Sequence, residues 1–363
     1  MSAGVGLERS VPGIDLSRLT TWLRTDLPAL KPPFNFTRIG AGQSNLTYKL
    51  VDSAGSAVVL RRPPLGEILS SAHDMAREHM VLTALSQAGA RVPRTFAFCA
   101  DDDVCGAPFF VMENVDGLVL SSVAVAETLD PDARRAVGLE MANTLAALHA
   151  LDVDAIGLSD LRRPESLAER QLRRWARQWH ASKTRELPLI DELAELFAAR
   201  LPDEREQTLV HGDYHLGNAL FDSDGTMRAV LDWELCTVGD PLADVGMMVA
   251  YWTEMAAAAH GEDALFPEPV TALPGFPGPE ELVGAYLRAS GRNPAALGFW
   301  VAFAYWKVAI IVEGVYRRWL NDPANGSAAE RLQPAVSRLA TLASRAAADK
   351  TNWSELGSGR PER

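Results

Sequence analysis

The sequence has few cysteines, few histidines and no excess of positive charge. Its 363 residues include 3 Cys and 7 His, and 47 acidic residues outnumber 35 basic ones, for a formal net charge of -12. Three scattered cysteines are too few for a disulfide framework, and no C-x-x-C pair indicates a zinc or redox site. The acidic balance argues against nucleic acid or an anionic membrane as a partner, and nothing in the sequence implies a protein partner.

Long apolar runs are also scarce. Residues 297–316 form the one stretch that raises the question of a membrane span, but Lys307 and Glu313 interrupt it, so we predict a buried helix. The N-terminus lacks a basic region followed by an apolar run, so we expect no secretory signal and a cytoplasmic location.

The hydrophobic content of 47% is enough for a large core, and the length suggests two domains or lobes. The first third of the chain is rich in predicted strands. These are residues 34–39, 46–51, 57–61, 95–99 and 109–113, with helices predicted over 14–30 and 72–88. Beyond residue 117 the pattern becomes helical, with predicted helices at 131–149, 166–181, 189–201, 241–259, 279–289 and 297–320. This order predicts an α+β fold.

The densest chemical signal is the segment HGDYHLGN at residues 211–218, followed by LDWE at 231–234. Three short apolar runs surround it, at 208–210, 219–221 and 228–231, and Asp224-Gly225 between the last two predicts a hairpin turn. A hairpin folds back on itself, so it should bring Asn218 and Asp232 close together.

These residue types suit phosphoryl transfer. The reaction needs one carboxylate to orient and deprotonate a hydroxyl, and oxygen ligands to hold Mg²⁺ against the phosphates. Asp213 can be the base, while Asn218 and Asp232 can bind the metal; His211, Asp213 and Asn218 fit the kinase pattern H-x-D-x-x-x-x-N.

Two other interpretations of this segment stay open. His211, Asp213 and His215 could form a hydrogen-bonded loop cluster without chemistry, or they could be the ligands of a metal hydrolase. The second is disfavoured because such a site normally needs further His or Asp ligands.

With HGDYHLGN, LDWE and then GDPLADVG at 239–246, the chain resembles the aminoglycoside-phosphotransferase and choline-kinase-like group over residues 34–320. The resemblance implies a protein-kinase-like, two-lobed fold with ATP as co-substrate, Mg²⁺, and a small-molecule hydroxyl as acceptor. It also implies Asp213 as the catalytic base and Asn218 and Asp232 as the magnesium ligands.

The corresponding domain limits are an N-terminal helical segment at 1–33, a β-rich nucleotide-binding lobe at 34–114, a mainly helical catalytic and substrate-binding lobe at 115–349, and a disordered tail at 350–363.

The resemblance also identifies nucleotide-binding candidates in the first lobe. A glycine-rich loop, which could equally be a plain hairpin turn, offers Gly40, Gly42, Gln43, Ser44 and Asn45. Arg61 stands where the family usually has a phosphate-binding Lys, and Glu78 on the following helix is its natural partner.

Side chains alternate along a strand, so Arg61 and Arg62 should face opposite ways; the other interpretation places both on a solvated strand edge. Glu113 and Val115, near the hinge at residues 113–117, would offer backbone groups to adenine. In the second lobe, His211 and Asp244 are expected to brace the catalytic loop without touching the reactants, and Asp240 to cap a helix.

Several alternatives remain for the molecule that accepts the phosphoryl group. The segments LRRPP at 60–64 and DWELCTVGDP at 232–241 are similar to those of kinase-like domains found alongside acyl-CoA dehydrogenases. This resemblance implies a hydroxylated acyl metabolite as the acceptor. An aminoglycoside or choline-type acceptor is the alternative. Because Arg61 replaces the usual Lys, a nucleotide-binding pseudokinase without turnover is a further one.

Overall fold

The protein is described as a computed structural model that covers residues 13–39, 45–64, 74–204, 206–257, 270–321 and 329–349, together with 353 and 356. The glycine-rich loop candidates Gly40, Gly42, Gln43 and Ser44 lie outside the described residues. The chain divides into two compact units, Met1–Asp116 and Gly117–Arg363. The α+β class predicted from the sequence is confirmed, because the first unit is built on a sheet and the second is mainly helical.

The first unit contains a five-stranded antiparallel sheet in the order β1-β2-β3-β5-β4. Its strands are β1 (Asn35–Ile39), β2 (Leu46–Val51), β3 (Ala57–Arg62), β4 (Thr95–Cys99) and β5 (Phe109–Glu113). Its helices are α1 (Leu16–Asp26), α2 (Met75–Gln87) and α3 (Asp102–Cys105). The carboxylates of Asp15 and Asp74 accept backbone N–H bonds at the first turns of α1 and α2.

Helices cover both faces of this sheet. On one face, Leu19 and Leu23 of α1 join a buried cluster with Tyr48 and Phe109. The opposite face packs against α2, which is buried through residues such as Leu82 and Leu85. Strand β3 lies between the two layers, and five of its six residues are buried. The interpretation of Arg61 and Arg62 as a solvated edge is therefore wrong.

The second unit is mainly helical, with two short hairpin-like ladders. The helices are α4 (Val123–Ala126), α5 (Pro131–His149), α6 (Leu167–Ser182), α7 (Pro188–Ala198), α8 (Leu242–Ala257), α9 (Pro279–Ser290), α10 (Leu297–Asn321) and α11 (Ala329–Ala348). The strands are β6 (Thr208–Val210), β7 (Ala219–Phe221), β8 (Met227–Val230) and β9 (Thr237–Gly239). β6 pairs with β9 and β7 pairs with β8.

Helix α10 is the centre of this unit and packs against α6, α8 and α11. Phe303 and Trp306 on α10 meet Phe197 of α7 with ring centroids 5.4 and 5.7 Å apart. By length and composition Leu297–Leu320 could cross a membrane, yet 78% of its apolar window is buried inside the structure. The prediction of a buried helix is confirmed.

Several elements differ from the sequence prediction. The first helix ends at Asp26 rather than near residue 30, because Leu27 leaves the helical conformation with φ -129°. Strand β8 begins at Met227, one residue earlier than predicted, and α8 begins at Leu242. The sequence patterns missed β9, α11 and the one-turn helices α3 and α4.

Candidate active site

The candidate catalytic loop joins β6 to β7. Two hydrogen-bond donors within this loop hold the side chain of Asp213. The amide nitrogen of Asn218 donates to the backbone oxygen of Asp213 at 2.9 Å and to its Oδ2 at 3.2 Å. His215 Nε2 lies 3.4 Å from the same Oδ2. The carboxylate is 27% exposed, so it is held in place and still open to a reactant.

His215 is fixed by its other contacts. Its Nδ1 accepts the N–H of Gly217 at 3.0 Å, which leaves the ring proton on Nε2, facing Asp213. Its ring stacks on Tyr251, with centroids 4.3 Å apart and planes 20° from parallel. His215 Nε2 therefore donates to the Asp213 carboxylate.

The electrostatic environment keeps Asp213 ionised. Burial alone would raise the pKa of this carboxyl, but His215, Lys307 and His211 outweigh it and hold the pKa well below the usual range. A carboxylate with a low pKa takes a full proton only late in a reaction. A carboxylate held in this way can accept a hydrogen bond from a hydroxyl and orient it, which is what phosphoryl transfer requires of such a group.

His211 connects the loop to the segment that follows β8 and carries Asp232. Its Nδ1 accepts the N–H of Asp213 at 3.2 Å, and its Nε2 donates to the backbone oxygen of Leu231 at 2.9 Å. Both ring nitrogens are engaged by the backbone, so neither is available as a metal ligand. The described residues likewise contain no group of three or more His, Cys, Asp or Glu side chains that could hold a metal ion. The engagement of both His211 nitrogens disfavours the hydrolase interpretation.

The predicted hairpin brings the two metal-ligand candidates to neighbouring positions. Ala219 pairs with Val230, and the N–H of Leu231 donates to the backbone oxygen of Asn218 at 2.8 Å. Asp232, the next residue, has φ +64°, a left-handed conformation that is uncommon for a non-glycine residue. Such strain is found most often at functional sites.

The side chains at these positions fit Mg²⁺. The amide nitrogen of Asn218 donates to Asp213, which leaves its carbonyl oxygen as a ligand, and Asp232 supplies a carboxylate. Magnesium in kinase sites is typically held by one or two protein oxygens together with substrate phosphates. The pair is therefore suited to a metal that arrives with a nucleotide.

Asp244 lies behind the loop and fixes its backbone, as the sequence predicts. Its carboxylate accepts the N–H of His211 at 2.6 Å and that of Gly212 at 2.8 Å. His149 Nε2 lies 3.3 Å away, and its Nδ1 meets the Tyr286 hydroxyl at 2.9 Å. Burial would raise the pKa of Asp244, but the hydrogen bond and charge of His149 together with the loop N–H groups hold it below the usual range. The nearby Asp240 caps α8 by accepting the N–H of Leu242 at 2.9 Å.

Sequence reasoning missed two of these partners. His149 lies at the end of α5, 95 positions from Asp244, and Lys307 on α10 donates to the backbone oxygen of Gly212 at 2.6 Å. For Lys307, the signal in the sequence was a charged residue that interrupts an apolar helix. That signal does not say which partner the charged residue contacts.

In the first unit, the ion pair between Arg61 and Glu78 is present. Arg61 Nε lies 3.0 Å from Glu78 Oε2, and the two side chains are 11% and 2% exposed. Arg62 points the other way and donates to the backbone oxygens of Gly13 and Cys105. The predicted alternation therefore places one arginine in each layer beside the sheet.

The other nucleotide-binding candidates of this unit are backbone positions. Glu113 ends β5, donates its N–H to the Arg94 oxygen at 2.8 Å and accepts the Arg94 N–H on Oε2 at 3.3 Å. Val115 lies just beyond it in an irregular segment, and Asn45 is buried immediately before β2. Their contact with a nucleotide stays a prediction.

Replacement of Arg61 tests the ion pair. We expect Arg61→Lys to leave the Kd for Mg-ATP within about threefold, because the charge opposite Glu78 is kept. Arg61→Met should weaken Mg-ATP binding about tenfold or more and lower the Tm, since it removes the cation that pairs with the buried Glu78 carboxylate. Isothermal titration with Mg-ATP measures the Kd of each variant, and thermal unfolding measures the Tm. Lys49→Met, on the neighbouring strand, is the control. Equal affinities in the Lys and Met variants would contradict a role for the charge.

Comparison of the chain with known proteins agrees with this arrangement of site residues. Residues 35–300 match the phosphotransferase enzyme family, and the chain belongs to that family. It is 36% identical over 307 residues to acyl-CoA dehydrogenase family member 11 of Gallus gallus, covering 83% of this chain but 39% of that protein. The chain thus spans well under half the length of the curated relatives it matches.

Solved structures show the same fold. A Ralstonia eutropha structure described as a candidate aminoglycoside phosphotransferase has a TM-score of 0.75 and 29% identity, covering 92% of this chain and 98% of its own. Choline kinase from Cryptosporidium parvum has a TM-score of 0.60 at 12% identity, covering 91% and 96%. The chain therefore has the α+β fold that these kinase-like proteins share.

Proposed function

We propose that this protein is a Mg²⁺-dependent kinase that transfers the γ-phosphoryl group of ATP to a hydroxyl of a small molecule. The observation that carries the proposal is the arrangement of Asp213, Asn218 and Asp232. One hydrogen-bonded loop and one hairpin bring together a partly exposed carboxylate and two residues whose side chains could supply oxygen ligands.

In the proposed reaction, Asp213 accepts the hydrogen bond of the acceptor hydroxyl and aims its oxygen at the γ-phosphorus. As the new P–O bond forms, the bond to the bridging β,γ-oxygen breaks, ADP leaves with that electron pair, and the hydroxyl proton passes to Asp213 and then to solvent. Asn218 and Asp232 would hold Mg²⁺, which when bound would supply charge stabilisation on the phosphates. Asn218 has a second task, because its amide nitrogen keeps the Asp213 carboxylate in one orientation.

For the acceptor we propose a hydroxylated acyl metabolite, such as a hydroxyacyl thioester of coenzyme A. Support comes from the relatives, whose names refer to acyl-CoA dehydrogenases, because a kinase segment within such a chain is expected to act on a related substrate.

The charge of α6 supports the same choice. In a chain of net charge -12, this helix carries the exposed arginines Arg173, Arg174 and Arg177. Trp175 lies between Arg174 and Lys307, with each cation 5.4 Å from its ring. A phosphate-bearing acceptor would be attracted to this surface, whereas a polycation would be repelled. We further propose a cytoplasmic location, where ATP is available and the three buried thiols stay reduced.

The test is a comparison of kcat/KM with Mg-ATP for hydroxyacyl-CoA thioesters, the free hydroxy acids, aminoglycosides and choline, with product mass as the readout. We expect the thioesters to be favoured by about tenfold or more over the free acids, because the arginines on α6 add binding energy only for the phosphate-bearing part. Arg174→Gln should reduce that preference and leave transfer to the free acids within about twofold. Faster transfer to an aminoglycoside or to choline would overturn the acyl assignment.

A further inference from the structure

Lys307 is a buried cation in the middle of an otherwise apolar helix. The residue is 6% exposed on α10, where its neighbours Phe303, Ala304, Trp306 and Val308 are also buried. Burying an ammonium group is costly unless it is hydrogen-bonded and its charge is offset. The partners of Lys307 are therefore the key to what the residue does.

Those partners belong to the catalytic loop. Nζ donates to the backbone oxygen of Gly212 at 2.6 Å and lies 5.4 Å from the ring of Trp175. Burial lowers the pKa of Lys307, while the carboxylates of Asp213 and Asp244 act in the opposite direction. The ammonium group thus lies within electrostatic range of both carboxylates and offsets part of their charge.

The bonded oxygen belongs to the peptide that joins Gly212 to Asp213. A peptide is planar, so its oxygen and its N–H move together. Here the oxygen is held by Lys307, and the N–H, which belongs to Asp213, is held by His211 Nδ1 at 3.2 Å. The orientation of this plane determines where the Asp213 side chain leaves the backbone.

Gly212 has little freedom on its other side. Its own N–H is held by Asp244 at 2.8 Å, its φ is +86°, and a side chain there would meet the Leu235 backbone oxygen at 2.8 Å. Without Lys307, the hydrogen bond of 3.2 Å from the Asp213 N–H to His211 Nδ1 is left to oppose rotation of the following peptide. A cavity of about 30 Å³ beside Lys307 and Gly212 offers space for that rotation.

We propose that Lys307 is a positioning residue that fixes the Gly212–Asp213 peptide and so holds the Asp213 carboxylate in its working orientation. The inference rests on the proposed function of Asp213 as base. It differs from the roles of Asn218 and His215, which touch the carboxylate itself, because Lys307 acts through the backbone.

The kinetic test uses Lys307→Met, which keeps the apolar stem and removes the donor. We expect kcat to fall about tenfold to a hundredfold, since a displacement of roughly 1 Å can have that effect, while the KM for Mg-ATP stays within about threefold. In an Asp213→Asn background the same change should alter kcat by less than about twofold, because both act through one group.

Glu313→Gln is the matched control. Glu313 is fully buried on the same helix but bonds to Thr184 and Arg185, away from the loop. Its kcat should stay within about twofold of the parent.

A second measurement needs no acceptor and so separates this inference from the proposed function. Hydrogen exchange followed by mass spectrometry should show faster deuterium uptake in peptides covering 208–221 for Lys307→Met, and unchanged uptake there for Glu313→Gln. Lys307→Gln serves if the Met variant does not fold. If the parent transfers no phosphoryl group, the proposed function fails and the exchange result alone judges Lys307. Unchanged uptake over 208–221, an unchanged kcat, or a loss that is additive with Asp213→Asn would overturn the inference.

Discussion

Asp213→Asn is expected to lower kcat by about a hundredfold to ten-thousandfold, the range typical for removal of a general base. Asparagine keeps the size of the side chain and one acceptor oxygen, but it cannot take the hydroxyl proton. Its amide also introduces donors near His215 and Asn218, which already donate to this carboxylate. The acceptor hydroxyl therefore loses both its proton acceptor and its alignment.

The measurement is kcat with saturating Mg-ATP, together with Tm and the Kd for Mg-ATP. Nucleotide affinity should change by less than about threefold, because Asp213 acts on the acceptor. Asp222→Asn is the matched control, since Asp222 is a partly exposed carboxylate on the hairpin that pairs with Arg228 at 3.6 Å. A kcat for Asp213→Asn within about threefold of the parent would remove Asp213 from the role of base.

Asp232→Asn is the second large effect, with a different signature. Loss of a carboxylate ligand should weaken Mg²⁺ binding and reduce kcat/KM about a hundredfold or more, because the metal supplies several kcal/mol of charge stabilisation in the transition state. The activity should recover in part as Mg²⁺ is raised, whereas Asp213→Asn should show no such recovery.

The experiment is a Mg²⁺ titration of the rate at fixed ATP. We expect the half-saturating concentration to rise about tenfold or more in Asp232→Asn, and to stay at the parent value in Asp224→Asn. Asp224 lies at the exposed turn of the same hairpin, where its carboxylate accepts the N–H of Thr226 at 2.9 Å, so it controls for charge. An unchanged half-saturating concentration in Asp232→Asn would rule out a metal role for this residue.

The parts of the site that could be predicted from sequence are those built by local rules. The Asp224-Gly225 turn fixes a hairpin, and the hairpin determines that Asn218 and Asp232 lie side by side. Strand alternation likewise predicts that Arg61 and Arg62 point to opposite faces, and only Arg61 then reaches Glu78 on α2. In both cases the local geometry of one element determines where the site residues lie.

The parts that could not be predicted depend on contacts between distant segments. Tyr286 on α9, His149 on α5 and Asp244 on α8 form one chain of polar contacts only because those helices pack together. Lys307 reaches Gly212 for the same reason, and neither contact leaves a local pattern in the sequence. Strand β9 was missed because its partner is distant in the sequence: Thr237–Gly239 pairs with β6.

³¹P NMR of the protein with Mg-ATP and the acceptor panel tests most directly whether the γ-phosphoryl group reaches a hydroxyl. We expect ATP to be converted to ADP together with a new phosphomonoester, and both products to depend on Mg²⁺ and on an acceptor. Release of inorganic phosphate alone would indicate a hydrolase. Tight binding of ATP without turnover across the panel would contradict the proposed kinase activity and favour a nucleotide-binding protein without turnover.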